Sequence, residues 1–300
     1  MNDDAAGARH DRLARWFGPD GLIIGIAIDH RDALLNAWQR RNHAPPERSA
    51  IEALKARAVR ELAPDATLVL LDSEYGNAAL RAGAVPPGIA LVMPLEAQGY
   101  EAAGEQRVTA LLSDFGPLDA ARSGAAGCKL LLPYHPDDVA SASLQDDVAL
   151  SAIAACHDSG MPIVLEPIVY RLEAELSASF DARLAERVAA TASHLATLGP
   201  DVLKLQFPAG TSDDAAACAT LSRACGDVPW VLLGAGSDED TFAVQVQSAV
   251  GAGAVGFIVG RTVWGGALVP DEAASANYLA EQAVPMFRRF ARLARSALVA

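Results

Sequence analysis

"LIIGIAIDHRDALL", residues 22–35, decides between two architectures. Its first half is apolar at nearly every position, the mark of a strand covered on both faces, as in parallel sheets flanked by helices. Its second half is the turn into the next element. A doubly wound open sheet normally carries a glycine-rich loop at its first such turn. Here "IDHRDALL" (28–35) contains no glycine. A closed barrel of strand–helix units makes no such demand.

Seven further runs of the same kind follow: "TLVLLD" (67–72), "GIALVM" (88–93), "CKLLL" (128–132), "PIVLEP" (162–167), "DVLKLQ" (201–206), "WVLL" (230–233) and "GFIVG" (256–260). Helix-period stretches separate most of them, at 47–63, 138–159, 181–198, 213–225 and 238–251. Each has Ala, Leu or Val at three- and four-residue spacing and charges on the opposite face. The tail, 271–299, reads as one or two closing helices, and "RVTALLSDFG" (107–116) as a small extra hairpin. Eight strands alternating with helices over roughly 250 residues predict a (β/α)8 TIM barrel. No linker divides the chain, so residues 1–300 are expected to form a single domain.

Composition narrows the function. The 300 residues are 51% hydrophobic and 20% charged, with a formal net charge of −13. Nucleic-acid binders carry basic patches, so that class is set aside. The start, "MNDDAAGARHDRLARWF", lacks the basic-then-apolar pattern of a secretion signal. The most apolar late stretch, "AVGAGAVGFIVG" (249–260), falls short of the ~20 apolar residues of a membrane span. Cys128, Cys156, Cys218 and Cys225 show no CxxC spacing and read as reduced thiols of a cytoplasmic protein.

Active sites of such barrels lie at the C-terminal strand ends. Those ends carry Asp29, His30 and Arg31; Asp72 and Glu74; Glu96; Tyr134 and His135; Glu166; Gln206; Gly234, Ala235 and Gly236; and Gly260 with Arg261. Two lysines, Lys129 and Lys204, lie inside their strands instead. Taking an ammonium out of water costs several kcal/mol, so a lysine in the middle of "DVLKLQFP" (201–208) requires a reason. Side chains alternate along a strand. Lys204 therefore shares a face with Gln206, Lys129 with Leu131, and Glu166 with Val164. If those faces point inward, Lys204, Lys129 and Glu166 meet in one pocket.

Two lysines and a carboxylate in a dry pocket suit imine chemistry. A lysine attacks a carbonyl only when neutral, and both burial and a neighbouring cation favour that form. Glu166 is then placed to shuttle protons. Lys204 is predicted to be the nucleophile. Farther along, "LLGAGSDEDTF" (232–242) and "VGRTVWGG" (259–266) pair a glycine turn and a helix start with an arginine. Backbone N–H groups and a guanidinium fork bind phosphate, and phosphate sites after the seventh and eighth barrel strands recur. The six histidines show no HExxH or other tight ligand spacing, so no metal is expected. His30 and His135 are placed to touch substrate; His10, His43, His157 and His194 read as solvated or helical.

"AIDHRDAL" (27–34), "LLDSEYG" (70–76), "GCKLLLPY" (127–134), "VLEPIVY" (164–170), "DVLKLQFP" and the glycine-turn segments, in this order from about residue 22 to residue 268, resemble the class I tagatose 1,6-bisphosphate aldolase family. That grouping includes the aldolase for sulfofructose phosphate. The resemblance implies a TIM barrel that cleaves a phosphorylated ketose, such as tagatose 1,6-bisphosphate, through a lysine imine to dihydroxyacetone phosphate and an aldehyde, with no cofactor. By this likeness Lys204 matches the imine lysine, Glu166 the proton-transferring glutamate, and Asp29 and Lys129 the active-site aspartate and second lysine. Gly234, Ala235, Gly236, Gly260 and Arg261 match the phosphate-binding residues, and His30 and Arg31 complete the expected substrate contacts.

The family usually has serine where this chain has Gly234, and glutamine where it has His30. "DHR" (29–31) and "YHPDD" (134–138) instead resemble the aldolase domain of myo-inositol catabolism, which cleaves a deoxy-keto-gluconate phosphate. A sulfosugar phosphate, a deoxy-keto-gluconate phosphate, or a non-catalytic sugar-phosphate sensor on the same barrel are therefore the alternatives. The expected partner is a small sugar phosphate, not nucleic acid or membrane; a protein partner would be a further copy of the chain, in a homo-oligomer.

Overall fold

The computed structural model describes residues 2–97 and 107–298. Eight parallel strands close into a barrel in chain order: β1 (Ile23–Ala27), β2 (Leu68–Leu70), β3 (Ala90–Pro94), β4 (Gly127–Tyr134), β5 (Ile163–Val169), β6 (Val202–Leu205), β7 (Trp230–Leu233) and β8 (Gly256–Val259). Every predicted run overlaps one of them, and β3, β4 and β5 extend one or two residues past theirs. β8 pairs with β1 through Ile23–Gly256 to Ile26–Val259, which closes the ring.

The doubly apolar strands have the expected cause. Outward side chains such as Ile24, Ile26, Leu203 and Leu205 join one large core under the helices. Inward ones, such as Ile23, Val164, Val202 and Val231, pack against each other inside the ring. Buried apolar area contributes about 25 cal/mol per Å², so both layers favour closure.

The predicted helices appear as Arg48–Leu62, Val139–Asp158, Ser177–Ala196, Asp214–Cys225 and Glu239–Gly251. The tail forms Glu272–Tyr278 and Val284–Ala297 with a π-helical turn, Leu279–Ala283, between them. Helices at Asn2–Leu13 and Asp32–Asn42 were not expected from periodicity, nor were short ones at Asn77–Arg81, Pro117–Arg122 and Arg261–Trp264. The first of these is largely polar along its length, and the last three are too short to show a period. Residues 107–116 do not fold on themselves as a hairpin. Instead 110–112 return antiparallel along the extension of β3: Glu96 bridges Leu111, and Leu112 N–H donates to the Leu95 carbonyl at 2.9 Å.

The chain entering β1 stoppers the N-terminal end of the barrel. Leu13 and Trp16 belong to the interior cluster, and the Trp16 indole N–H donates to the Ala126 carbonyl at 3.0 Å. Gly127 makes room for the ring, since a Cβ there would lie 2.3 Å from it. Arg12 donates to Asp201 through Nε at 2.9 Å, and Asp201 also accepts from the Ile163 N–H at 2.9 Å. Trp16→Ala should therefore cost about 3–5 kcal/mol of stability in urea denaturation. The folded variant should keep any activity of the expected kind, because the opposite end of the barrel is untouched. An equal loss of kcat in the folded variant would show that the stopper also shapes the mouth.

Candidate active site

The C-terminal end of the barrel is open and holds a cavity of about 600 Å³. Alternation brings the inward residues of the later strands to its floor. Val164 pairs with Val202 across β5 and β6, so Glu166 and Lys204, each two residues on, stand at one level. Leu131 pairs with Glu166 across β4 and β5, so Lys129 sits one step below Glu166.

Glu166 bridges the two lysines. Its Oε1 lies 2.7 Å from Lys204 Nζ and its Oε2 3.1 Å from Lys129 Nζ. Lys129 also reaches Asp29 Oδ2 at 3.1 Å and Glu96 Oε1 at 2.6 Å. Glu96 Oε2 in turn accepts from the Leu131 N–H at 3.2 Å. All five residues are at most 7% exposed. Isolated charges would not survive there; a contiguous network of opposite charges does.

The network sets the charge states. Burial pushes the Lys129 ammonium towards neutrality, but Asp29, Glu166 and Glu96 outweigh it and hold Lys129 well above the ordinary lysine value. Burial raises Asp29, yet Lys129, helped by Lys204, pulls it below the usual carboxylate range. Glu166 behaves alike: burial opposes ionisation, and Lys129 and Lys204 overcome it. For Glu96 burial wins against Lys129, helped by Asp29, and its value is raised. His30 is pushed down to about 3 by burial, with Arg261 and Lys204 acting against the pull of Asp29. It is a neutral imidazole at physiological pH.

Asp29, His30, Lys129, Glu166, Lys204, Gly234, Ala235, Gly236, Gly260 and Arg261 all line the cavity, so ten of the eleven expected site residues converge there. Ala235 and Gly236 both have positive φ, 45° and 77°, and turn the chain sharply at the rim. Gly234 could not carry a side chain without displacement, because a Cβ would lie 2.9 Å from Val259 Cγ2. At Gly260 a Cβ would meet His30 Cε1 at 2.7 Å. The His30 ring stands edge-on to Trp264 at 5.4 Å, whose indole N–H donates to the Ala27 carbonyl at 2.8 Å. Arg261 is half-buried, and among the described residues no carboxylate lies within ion-pair distance of it.

Three expectations need correction. Arg31 is not in the wall: it is buried behind it and donates through Nη2 to the Glu96 carbonyl at 2.5 Å, holding the segment that carries the glutamate. His135 is also outside the wall; its Nδ1 accepts from the Asp137 N–H at 3.2 Å and its ring packs against Tyr170. The helix Glu239–Gly251 does not offer a free N-terminus, because Asp238 caps it by accepting from the Thr241 N–H and Glu239 and Asp240 fill its first turn. Any anion at this rim is left to the turn and Arg261.

Among residues not assigned from sequence, Glu96 is the main one. It was visible as a strand-end carboxylate, but its pairing with Lys129 depends on the β3–β4 register, in which Pro94 faces Lys129. Asp32 and Asn36, from the unexpected helix after β1, also line the cavity, as does Gln206. The strand-end carboxylate Asp72 is structural: it forms a fully buried ion pair with Lys55 and accepts from the Glu74 and Tyr75 N–H groups. Among the described residues no three His, Cys, Asp or Glu side chains are grouped so as to hold a metal ion. No helix among them is long and apolar enough to cross a membrane.

A family profile described as DeoC/LacD family aldolase matches residues 24–266. The chain is 28% identical to tagatose 1,6-diphosphate aldolase 2 of Enterococcus faecalis, covering 88% of this chain and 84% of that protein. It is 29% identical to tagatose 1,6-diphosphate aldolase of Listeria monocytogenes, covering 85% and 81%. In fold it is similar to a solved Schiff-base-forming fructose-1,6-bisphosphate aldolase, with a TM-score of 0.61, 20% identity, and coverage of 91% of this chain and 98% of that one.

The network predicts an inverted pH dependence of stability. Asp29 and Glu166 have folded-state pKa values below their unfolded ones. Their contribution is present above the ordinary carboxylate range and is lost as pH falls through it. Lys129→Met leaves buried carboxylates short of their counter-ion, which should cost about 3–5 kcal/mol at neutral pH. Burial then raises their folded values, so the variant should lose stability as pH rises from 5 to 8. Urea denaturation of both proteins across this range measures it. Parallel curves would mean that Lys129 is not the common counter-ion.

Proposed function

The chain belongs to the DeoC/LacD family of aldolases, and from that premise we propose that it is a class I enzyme in which Lys204 forms an imine with a phosphorylated ketose. The observation that carries this reading is Glu166, with one oxygen on each of two buried lysines at the open end of the barrel. A carboxylate in that position takes the proton from one amine while the other amine remains charged.

The reaction follows from the arrangement. Neutral Lys204 Nζ attacks the ketone carbon, and the resulting carbinolamine loses water as Glu166 delivers a proton to the departing hydroxyl. In the protonated imine the C3–C4 bond breaks. The C4 hydroxyl proton passes to a wall carboxylate, Glu166 or Asp29, and the bonding electrons enter the imine to give an enamine. The aldehyde leaves. Protonation at C3 and hydrolysis of the imine then release dihydroxyacetone phosphate and restore Lys204. Lys129 does not react; its ammonium keeps Asp29 and Glu166 ionised, and so competent to accept protons.

Arg261 and the 234–236 turn hold the phosphate, fixing the ketone against Lys204. His30, neutral and beside Asp29, faces the substrate as a hydrogen-bonding group. Four unpaired, buried cysteines suit a reducing, cytoplasmic setting.

Lys204→Arg keeps the charge but cannot form the imine. Turnover should fall by several orders of magnitude, and borohydride with substrate should no longer add mass to the protein. An adduct that survives this change and maps to Lys129 would move the nucleophile there. Arg261→Ala should cost roughly 2–4 kcal/mol, about 30- to 1,000-fold in kcat/KM, on phosphorylated ketoses. The same sugars without phosphate should be little affected. Equal losses on both would make the arginine structural.

A further inference from the structure

The cations of the cavity are of two kinds. Lys129 and Lys204 are each bound to carboxylates. Arg261 has none within reach among the described residues, and the charged neighbour acting on it is another cation, Arg40. The remaining wall offers no counter-charge for an anion. Leu131, Ile168 and Gln206 line the β4–β6 side, and Asn36 and Asp32 come from the helix after β1.

Arg40, close enough to Arg261 to act on it, has no ion pair among the described residues and adds to the same side of the cavity; the following arginines are committed. Arg31 holds the Glu96 carbonyl and Arg171 the Glu175 carbonyl. Arg183 and Arg187 pair with Asp137. Arg107 lies over the Tyr170 ring, 4.7 Å from its centroid.

We propose that this site accepts one phosphate and not two: its substrate is a ketose 1-phosphate whose far end, the part released as aldehyde, is an uncharged polyol. The proposal rests on the aldolase reading above and narrows its substrate. Placement of the phosphate follows from the register. Val231 on β7 pairs with Lys204 on β6, and the turn begins three residues farther, about 10 Å along the neighbouring strand. A phosphate on C1, next to the ketone carbon that Lys204 attacks, is the one this turn and Arg261 reach. A second phosphate at the other end would enter a wall of Leu131, Ile168 and carboxylates, losing its hydration without a counter-ion. Cleavage of the C3–C4 bond, with the C4 hydroxyl proton going to the wall carboxylate, then gives dihydroxyacetone phosphate and an unphosphorylated aldehyde. The relatives named for tagatose 1,6-diphosphate act on a substrate with one phosphate more.

The test compares kcat/KM of the wild-type enzyme on the 1-phosphates and the matching 1,6-bisphosphates of tagatose and fructose. A preference for the monophosphate, on the order of tenfold or more, is expected. Bisphosphates cleaved as well or better would overturn the proposal. Calorimetric titration with inorganic phosphate supplies an independent reading: one site, lost in Arg261→Ala, is expected, and a second site in the cavity would overturn it. If no ketose phosphate is cleaved and borohydride traps nothing, the aldolase reading of this site fails. The titration then decides the number of anion sites alone, one upholding the single-anion wall and two refuting it.

Discussion

The ammonium of Lys129 is the constraint on which the top of the barrel depends. Three carboxylates from three other segments converge on it: Asp29 just past β1, Glu96 just past β3 and Glu166 in β5. Without a cation at their centre they would be buried like charges, each driven to protonate. With it, Asp29 and Glu166 are held below the usual carboxylate range in a nearly dry pocket, and Glu166 has an oxygen left for Lys204. Lys204 is thus held through an intermediary. Packing around the ring sets where the network sits, and the network sets what each group can do.

The two ends of the barrel are treated differently by the same alternation. Towards the N-terminal face the inward positions are Ile23, Leu68, Val164, Val202 and their neighbours, closed off by Trp16. Towards the C-terminal face the same inward rows continue as Lys129, Glu166 and Lys204. Stability and chemistry are therefore stacked along one axis. The apolar layer beneath gives the polar layer a rigid floor, which keeps the distances around Glu166 short.

Much of this was legible in the residues. Doubly apolar strands announced a parallel sheet, the absence of glycine in "IDHRDALL" favoured closure, and a period of two was enough to turn Lys129, Glu166 and Lys204 to one face. What could not be read depended on neighbours across the sheet. Glu96 was recognisable only as a carboxylate at a strand end until the β3–β4 register put it beside Lys129. Arg31 follows Asp29 and His30 directly, yet its side chain turns behind the wall because the Glu96 carbonyl lies there. His135 occupies a strand end as His30 does, but the turn it starts folds back and takes its ring nitrogen as an acceptor. The Asn2–Leu13 helix escaped because its polar sequence has no apolar stripe; its docking comes from Arg12 and Leu13 at its end and Trp16 just after it. Likeness to known aldolases supplied the reaction, which no spacing in the chain would have specified.

The seam between β8 and β1 carries two duties. It closes the ring, and it builds one wall of the cavity, for here Gly260 lies under His30, Trp264 reaches across to the Ala27 carbonyl, and Arg261 faces the cavity. A side chain added at 260 would push His30 aside and strain closure at the same time. Evolution of this enzyme is thereby channelled. Changes to this wall must be made in step with the joint of the barrel, and few single steps satisfy both. Leu131 and Ile168, on the opposite wall, bear no such double load, so that is where the shape of the cavity is freest to drift.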